Sequence, residues 1–421
     1  MATFTEDLAF RGLMHQVTDP AIVPKLDHEA LTVYIGFDPT ASSLHVGSLL
    51  QLCTLRRFQL AGHRPIALAG GGTGLIGDPG GKESERAMVT PEILAAYLEG
   101  IRPQLGQFLD LDRALILDNS DWLGSLSAIA FLRDVGKHFT VNQMVAKDSV
   151  KSRFERPDQG ISYTEFSYML LQAYDFLRLH VDHGCDLQIG GSDQWGNITM
   201  GIELVRKVCR DEVWGLTTPL VLKADGTKFG KTESGTVWLD AERTSPYAMY
   251  QFLFNSPDEM VGAYLRYFTF LTHAQITELD AEISEHPGRR EAQRALARCV
   301  VELVHGPAAV IAAEDAAAAL FGEEIADLSE DMLLAVTQDA PTTQIPRSAI
   351  LEGLPLVGAL ISAELVASKG EARRTIEGGG AYVNNQRQSD TARILTGSDL
   401  LHDAYVVLRK GRREVHVLHA L

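Results

Sequence analysis

The chain has 421 residues with a hydrophobic content of 45%, too long for one core and ordinary for a soluble globular protein of two or three domains. Its formal net charge of −17 argues against a non-specific nucleic-acid binder, no run of about 18 apolar residues offers a membrane span, and the N-terminus lacks the basic and apolar regions of a secretory signal. Cys53, Cys185, Cys209 and Cys299 are scattered without a CxxC pair, which points to reduced thiols in a cytoplasmic setting and to no zinc site.

Thr32 to Phe37 reads as a short buried strand that stops at Asp38-Pro39. From His45 the pattern turns helical, with Val46, Leu49, Leu50, Cys53 and Leu60 at three-to-four spacing and Gly62 as the stop. Strand, loop and helix start is an arrangement that binds phosphates, through free backbone N–H groups and the helix dipole. A glycine such as Gly47 near a helix start serves equally as a packing device, so the spacing alone leaves both readings open. Residues 64 to 69 form a second strand, Gly70 to Lys82 a glycine-rich loop, and Thr90-Pro91 the N-cap and first turn of a helix. Ala114 to Leu117 is a third strand and residues 125 to 138 a further helix. Thr164 to Leu179 is helical, Asp186 to Ile189 a strand, Trp195 to Val208 a helix and Pro219 to Lys223 another strand. Strands alternating with helices predict an α/β, mostly parallel sheet covered on both faces, with ligands outside the carboxyl ends of the strands. Ser245 to about Leu334 shows no convincing strand and reads as helical. Residues 337 to 349, with Pro341 and Pro346, read as a linker. In the remainder, Tyr405 to Leu408 and Val415 to Leu418 read as a hairpin around Lys410-Gly411. Residues 341 to 421 hold ten Lys/Arg and eight Asp/Glu, a net +2, so a relatively basic tail follows an acidic body.

Gly70 to Lys82 is not a P-loop: Ile76 stands where the first required Gly would be, and Glu83 where Ser/Thr is required. Tyr168, Gln172 and Asp175 fall at i, i+4 and i+7 of one helix. A core-facing stripe should be apolar, so these polar groups form either an exposed face or a site. Ile189 to Asn197 ends a strand and opens a helix; Gly190 and Gly191 admit a close ligand, and Asp193 is placed to accept ribose hydroxyls. Lys228 and Lys231, three apart on a loop, are either a surface charge pair or a polyphosphate clamp.

Tyr34 to Ser48 resembles the "HIGH" signature of class I aminoacyl-tRNA synthetases, with Ser48 where the second His of the signature would stand. Lys228-Phe-Gly-Lys-Thr232 resembles the second signature, "KMSKS", and Gly74 to Pro79 and Ile189 to Asn197 are similar to the tyrosine-specific bacterial branch. Ala372 to Asn384 resembles the core of a small RNA-binding module shared with a ribosomal small-subunit protein, the S-four-type fold. The resemblance spans nearly the whole chain. It implies a Rossmann-like catalytic domain over 1–243, an α-helical anticodon-side domain over 244–336, the linker 337–349 and a small α+β RNA-binding domain over 350–421.

The activity it implies is tyrosine activation with ATP to tyrosyl-adenylate, followed by transfer to the 3'-terminal adenosine of tRNA(Tyr). Asp78, Tyr168, Gln172 and Gln194 would hold the amino acid, with Tyr34 and Asp175 meeting its phenol. Phenylalanine would leave that last pair buried without a partner, which costs about 1–3 kcal/mol for each group. Gly36, Asp38, Gly47, Ser48, Gly191 and Asp193 would line the ATP site, and Thr40 and His45 would contact phosphates. Lys82, Arg86, Lys228, Lys231 and Thr232 would close over the leaving pyrophosphate. Arg373 and Arg374 would meet RNA phosphates. Mg²⁺ carried on the ATP phosphates and a homodimer complete the expectation; no membrane or DNA partner is implied. A tryptophan-specific relative or smaller nucleotidyltransferase, and a catalytically silent RNA-binding paralogue, remain rival readings of the sequence.

Overall fold

Strands β1 Gln16–Val17, β2 Thr32–Phe37, β3 Arg64–Ala69, β4 Leu115–Asp118, β5 Leu187–Gly191 and β6 Trp214–Thr218 pair in the order β1-β6-β5-β2-β3-β4. The computed structural model describes residues 2–78, 89–147, 150–151, 160–227, 229–232, 235–321, 325–337, 340–411 and 414–421. All pairings are parallel except β1 with β6. Val33 and Ile35 of β2, and every residue of β5 and β6, are buried, as strands covered on both faces require. The covering helices are α1 Val46–Leu60, α2 Pro91–Gln107, α3 Tyr163–His183 and α4 Trp195–Val208.

Each helix starts where its sequence punctuation says. His45 caps α1, Thr90 accepts from the Ile93 N–H ahead of Pro91, and Ser162 accepts from the Glu165 N–H. Gly184 ends α3 at φ 62, a left-handed conformation that a side chain would strain. From β2 the chain steps outward through β3 to β4; β5 and β6 lie on the other side. The order therefore reverses between β2 and β5, and their carboxyl ends diverge to leave a crevice.

The structure differs from the sequence reading in four places. The strand expected at Pro219 to Lys223 is instead β6, ending one residue before the proline. Trp214-Gly-Leu-Thr-Thr carries neither an alternating pattern nor an apolar run, and its burial comes only from its place inside the sheet. The helix expected over 125–138 is broken into Ala128–Ala130, a wide turn Phe131–Val135 and a tight turn Gly136–His138. The segment expected as a linker contains a strand, Thr342–Ile345, whose register is fixed by parallel pairing to residues 417–420. The helices expected over 244–336 do not cluster as one body: the chain divides into residues 1–244 with 254–304, and 245–253 with 305–421.

The first unit gains its helices through buried arginines. Helix α5, Asp258–Phe268, ends on carbonyls that Arg11 and Arg57 satisfy. Arg11 donates to Arg266, Thr269 and Leu271, and Arg57 donates to Thr269 at 2.5 Å. Both guanidinium groups are buried, and cations at a helix C-terminus complement its dipole. Burial, then the Arg11 charge, lowers the Arg57 pKa to about 10, which still leaves it charged at neutral pH.

The second unit holds a five-stranded sheet. With β7 Thr342–Ile345, β8 Ala381–Val383, β9 Gln386–Gln388, β10 Tyr405–Lys410 and β11 Glu414–Ala420, its order is β9-β8-β10-β11-β7. Asn384 and Asn385, at φ 46 and 63, make the tight turn between β8 and β9. The expected hairpin of β10 and β11 is present, paired antiparallel from Tyr405 with His419. Helix α6, Lys369–Glu377, packs Ala372 and Ile376 into the apolar core of this unit and leaves Arg373 and Arg374 exposed.

Candidate active site

A cavity of about 530 Å³ opens at the carboxyl ends of β2 and β5. At one end α3 presents Tyr168, Gln172 and Asp175 to it, so the polar stripe faces inward rather than to solvent. Asp175 accepts from Asn119 Nδ2 at 2.9 Å and from Trp122 Nε1 at 2.7 Å. Asn119 also donates to Thr73 Oγ1 at 2.9 Å and accepts from the Gly72 N–H. Burial pushes the Asp175 carboxyl up to about 7, against the opposing pull of the Asn119 and Trp122 hydrogen bonds. The Tyr34 phenol rises well above its ordinary pKa through burial and the nearby Asp175 charge. Tyr34 Oη is buried without a hydrogen-bond partner among the described residues, as is Oε1 of Gln188, its register neighbour on β5.

Deeper polar groups are tied together in a chain. Tyr168 Oη donates to Asp38 Oδ2 at 2.7 Å, and Thr73 Oγ1 to Asp38 Oδ1 at 2.7 Å. Burial first, then the Asp38 and Asp78 charges, raises the Tyr168 phenol well above its ordinary value, so it remains a donor. Gln194 Nε2 donates to Asp78 Oδ2 at 2.6 Å. Asn197 Nδ2 donates to Gln172 Oε1 at 2.9 Å and Gln194 Oε1 at 3.1 Å, fixing both amides. Carboxylates and oriented amides around one hollow make a binding place for an ammonium group.

The other end is built for approach. Gly36, exposed in an otherwise buried strand, has nothing within 4 Å of where a Cβ would stand. Thr40, His45, Gly47, Ser48, Gly191 and Asp193 also line this cavity. The N–H groups expected to be free at the start of α1 are already used. Val46 N donates to Val237 O, Gly47 N to His45 Nδ1 at 3.0 Å, and Ser48 N to His45 O. His45 caps its own helix, and its Nδ1 acceptor role puts the proton of the neutral ring on Nε2. A phosphate here therefore meets an imidazole donor and the helix dipole rather than bare amides. A Cβ at Gly47 would sit 2.6 Å from His45 Cε1, which explains the glycine.

The segment around Phe229 and Gly230 lies against the start of α1. The Gly47 Cβ position is 3.6 Å from Phe229 O; Gly230, at φ 86, would put a Cβ 2.5 Å from Val46 Cγ2. Phe229 stacks on Phe268 at 5.3 Å and meets Tyr264 at 4.5 Å, which anchors the segment to α5. Lys231 and Thr232 form a short strand paired with Gly235–Thr236. Their side chains, and Lys82, Arg86 and Lys228, lie outside the described residues. Arg373 and Arg374 are in the second unit and are not cavity residues.

Sequence reasoning missed Asn119, Trp122, Thr73 and Asn197, which hold the expected residues in place. Asn119 follows β4 directly, and the rule that ligands gather at strand ends could have found it. Trp122 carries no such signal. Gln51, one turn beyond Ser48, also lines the cavity and donates to Thr218 Oγ1 at 2.9 Å.

Residues 26–322 match the family described as tRNA synthetases class I (W and Y), and residues 333–418 match the tyrosine–tRNA ligase SYY-like C-terminal domain. The chain is 54% identical to a tyrosine–tRNA ligase of Roseiflexus castenholzii, covering 99% of each. It is 52% identical to one of Bacillus caldotenax, covering 98% of each. A C-terminally truncated Aspergillus nidulans mitochondrial tyrosyl-tRNA synthetase superimposes with a TM-score of 0.69 at 33% identity, covering 76% of this chain and 95% of that one.

Proposed function

The chain belongs to the class I tRNA synthetases of the tryptophan and tyrosine group and has tyrosine–tRNA ligase activity, and from that premise we propose how its residues divide the work. The observation that carries the assignment is Asp175, buried at the cavity end opposite the glycines and held by Asn119 and Trp122. Tyrosine lies with its phenol between Asp175 and Tyr34, whose hydroxyl has no partner among the described residues. Asp78, Tyr168, Gln172 and Gln194 receive the α-ammonium end. Asp38 acts on the amino acid through Tyr168 and on ATP at the β2 end; Gly36, Gly47, Ser48, Gly191 and Asp193 receive the nucleoside.

The tyrosine carboxylate attacks the α-phosphorus of ATP, forming the mixed anhydride as the bond to pyrophosphate breaks. A carboxylate is already ionised, so no general base is required. Catalysis is positioning plus stabilisation of charge on the phosphates. Thr40 and His45 Nε2–H meet them from α1, while Lys82, Arg86, Lys228, Lys231 and Thr232 supply donors and positive charge as pyrophosphate leaves. A hydroxyl of the terminal ribose of tRNA(Tyr) then attacks the carbonyl and releases AMP. Mg²⁺ supplies charge neutralisation on the phosphate oxygens. The carboxylates of Asp38 and Asp78 are engaged by Tyr168, Thr73 and Gln194, in keeping with an ion held on ATP rather than in a protein cage.

The tail, 350–421, binds RNA, with Arg373 and Arg374 exposed on α6 toward phosphates. In the homodimer we propose, exposed Ile129, Leu132 and Val141, at 73%, 51% and 63%, are apolar side chains whose burial would favour association. No helix among the described residues is long and apolar enough to cross a membrane. All four cysteines are free thiols, which supports the reading of a reducing, cytoplasmic setting. Pyrophosphate exchange into ATP should depend on tyrosine, and removal of residues 342–421 should spare exchange while reducing tRNA charging at least tenfold. Equal losses in both reactions would remove the tail from RNA binding.

A further inference from the structure

His180, Cys209 and Asp211, none of which lines the cavity, bring an imidazole nitrogen, a thiol sulfur and a carboxylate oxygen within 4.8 Å of one another. They are scattered in sequence, which is why cysteine spacing gave no sign of them. His180 is in the last turn of α3, and Cys209 is the C-cap of α4. Arg210 between Cys209 and Asp211 sits at φ 66, a left-handed backbone that bulky residues rarely adopt. That turn allows both neighbours to face His180.

The ring orientation is informative. His180 Nδ1 is 2.9 Å from the Cys185 carbonyl, which accepts but cannot donate. The Nδ1 proton is thereby fixed, and a neutral ring turns its Nε2 lone pair toward Asp211 Oδ2, 3.1 Å away. A lone pair against a carboxylate is unfavourable unless a proton or a cation lies between them. An N–H to a backbone carbonyl is also the usual support of a metal-bound imidazole. On the same two helices, Lys207 is engaged by Glu203 at 2.6 Å and Arg178 by Asp182 at 2.7 Å.

We propose that His180, Cys209 and Asp211 form a three-ligand site for a thiophilic divalent cation such as Zn²⁺, with water as the fourth ligand. Tetrahedral coordination at about 2.0–2.3 Å asks for ligand spacings of roughly 3.5 Å. Asp211, whose side chain is 59% exposed, and Cys209 at a helix end need close by only about 1 Å to reach it. Binding releases the thiol proton and joins the carboxyl ends of α3 and α4, the helices that carry Asp175 and Asn197.

Co²⁺ titrated into the full chain should give a near-ultraviolet thiolate charge-transfer band and visible bands that saturate at one equivalent and are displaced by Zn²⁺. Cys209→Ser should abolish the charge-transfer band while Cys299→Ser, which changes the other partly exposed thiol, keeps it. His180→Gln and Asp211→Asn should each weaken binding by roughly tenfold or more. Circular dichroism and pyrophosphate exchange of Cys209→Ser should match the parent, showing a folded enzyme. The proposal is overturned by absence of the band, by its persistence in Cys209→Ser, or by affinity that ignores His180 and Asp211. In those cases the trio is an imidazolium–carboxylate ion pair beside an uninvolved thiol.

Discussion

The two ends of the cavity follow opposite plans. At the end proposed for tyrosine nearly every polar atom is held by another protein atom, and the buried hydroxyl of Tyr34 has no partner among the described residues. At the nucleotide end the lining is glycine and a helix start whose amides are already satisfied. The first plan discriminates, because a ligand lacking a hydroxyl strands groups that were desolvated in advance. The second admits a large polyanion by leaving space and supplying charge from loops. Substitutions at the two ends should therefore fail in different ways: the first in choice of amino acid, the second in rate with ATP.

The largest effect is expected from Asp175→Ala. It removes a charged acceptor from a dry pocket and strands Asn119 Nδ2 and Trp122 Nε1. Hydrogen bonds to a charged group are worth about 1.5–3 kcal/mol, so kcat/KM for tyrosine should drop on the order of a hundredfold. The preference over phenylalanine should fall with it. Exchange assays with each amino acid check this; a loss shared equally by both would place Asp175 in folding rather than selection.

Gly47→Ala tests the other end. Alanine is the better helix former, so the change should not unfold α1. Its Cβ would nevertheless stand 2.8 Å from His45 Nδ1 and displace the ring from its cap. The loss of that cap and of an oriented Nε2–H should lower kcat/KM for ATP roughly tenfold or more, with tyrosine binding unaltered. A tyrosine dissociation constant that moved with it would break the division between the ends.

The same contrast explains what the sequence disclosed. The nucleotide end is built from consecutive residues, so β2, α1 and their turn were legible from His45, Gly47 and the apolar spacing. The stripe Tyr168, Gln172, Asp175 was legible because one helix carries it. Its supporting groups were not, since Asn119 and Trp122 reach Asp175 across separations of 56 and 53 residues. Strand β6 was displaced in the reading for a related reason: its burial comes from β5, and no local pattern records it. Helix α5 was legible as a helix, but not its attachment, which depends on Arg11 and Arg57 reaching its end.

A subtler test of the tyrosine end is its response to pH. The Asp175 carboxyl, at about 7 in the fold, lies near 3.9 in an unfolded chain. Between those values the native state holds the proton, so this residue makes stability decline as pH rises from about 4 to 7. Asp175→Asn should flatten that slope, measured as Tm against pH. Tyrosine brings an ammonium group and a phenolic donor, both favouring the ionised carboxylate. Its dissociation constant should rise by up to about tenfold per unit as pH falls below 7. Calorimetry in buffers of different ionisation heat should show proton release on binding; a pH-independent affinity would mean that Asp175 is already ionised in the empty pocket.

The smallest effect is expected where the chain departs from the first signature. Ser48 lines the nucleotide end, half-buried, and its N–H is bonded to His45 O. A histidine there would reach further into the cavity than the shorter serine hydroxyl and add a single neutral donor. One neutral hydrogen bond contributes about 0.5–1.5 kcal/mol, so Ser48→His should change the activation step by roughly tenfold at most. The direction depends on space: Gln51, one turn on and tied to Thr218, crowds the same wall. A modest gain in ATP affinity would show that the wall yields, and a modest loss that it does not. The groups proposed to act on the phosphates, His45 and the lysine and arginine set, are the same in both proteins. An inactive parent rescued by Ser48→His would show instead that one donor at this position decides catalysis. The nucleotide end would then depend on a single residue as sharply as the tyrosine end depends on Asp175.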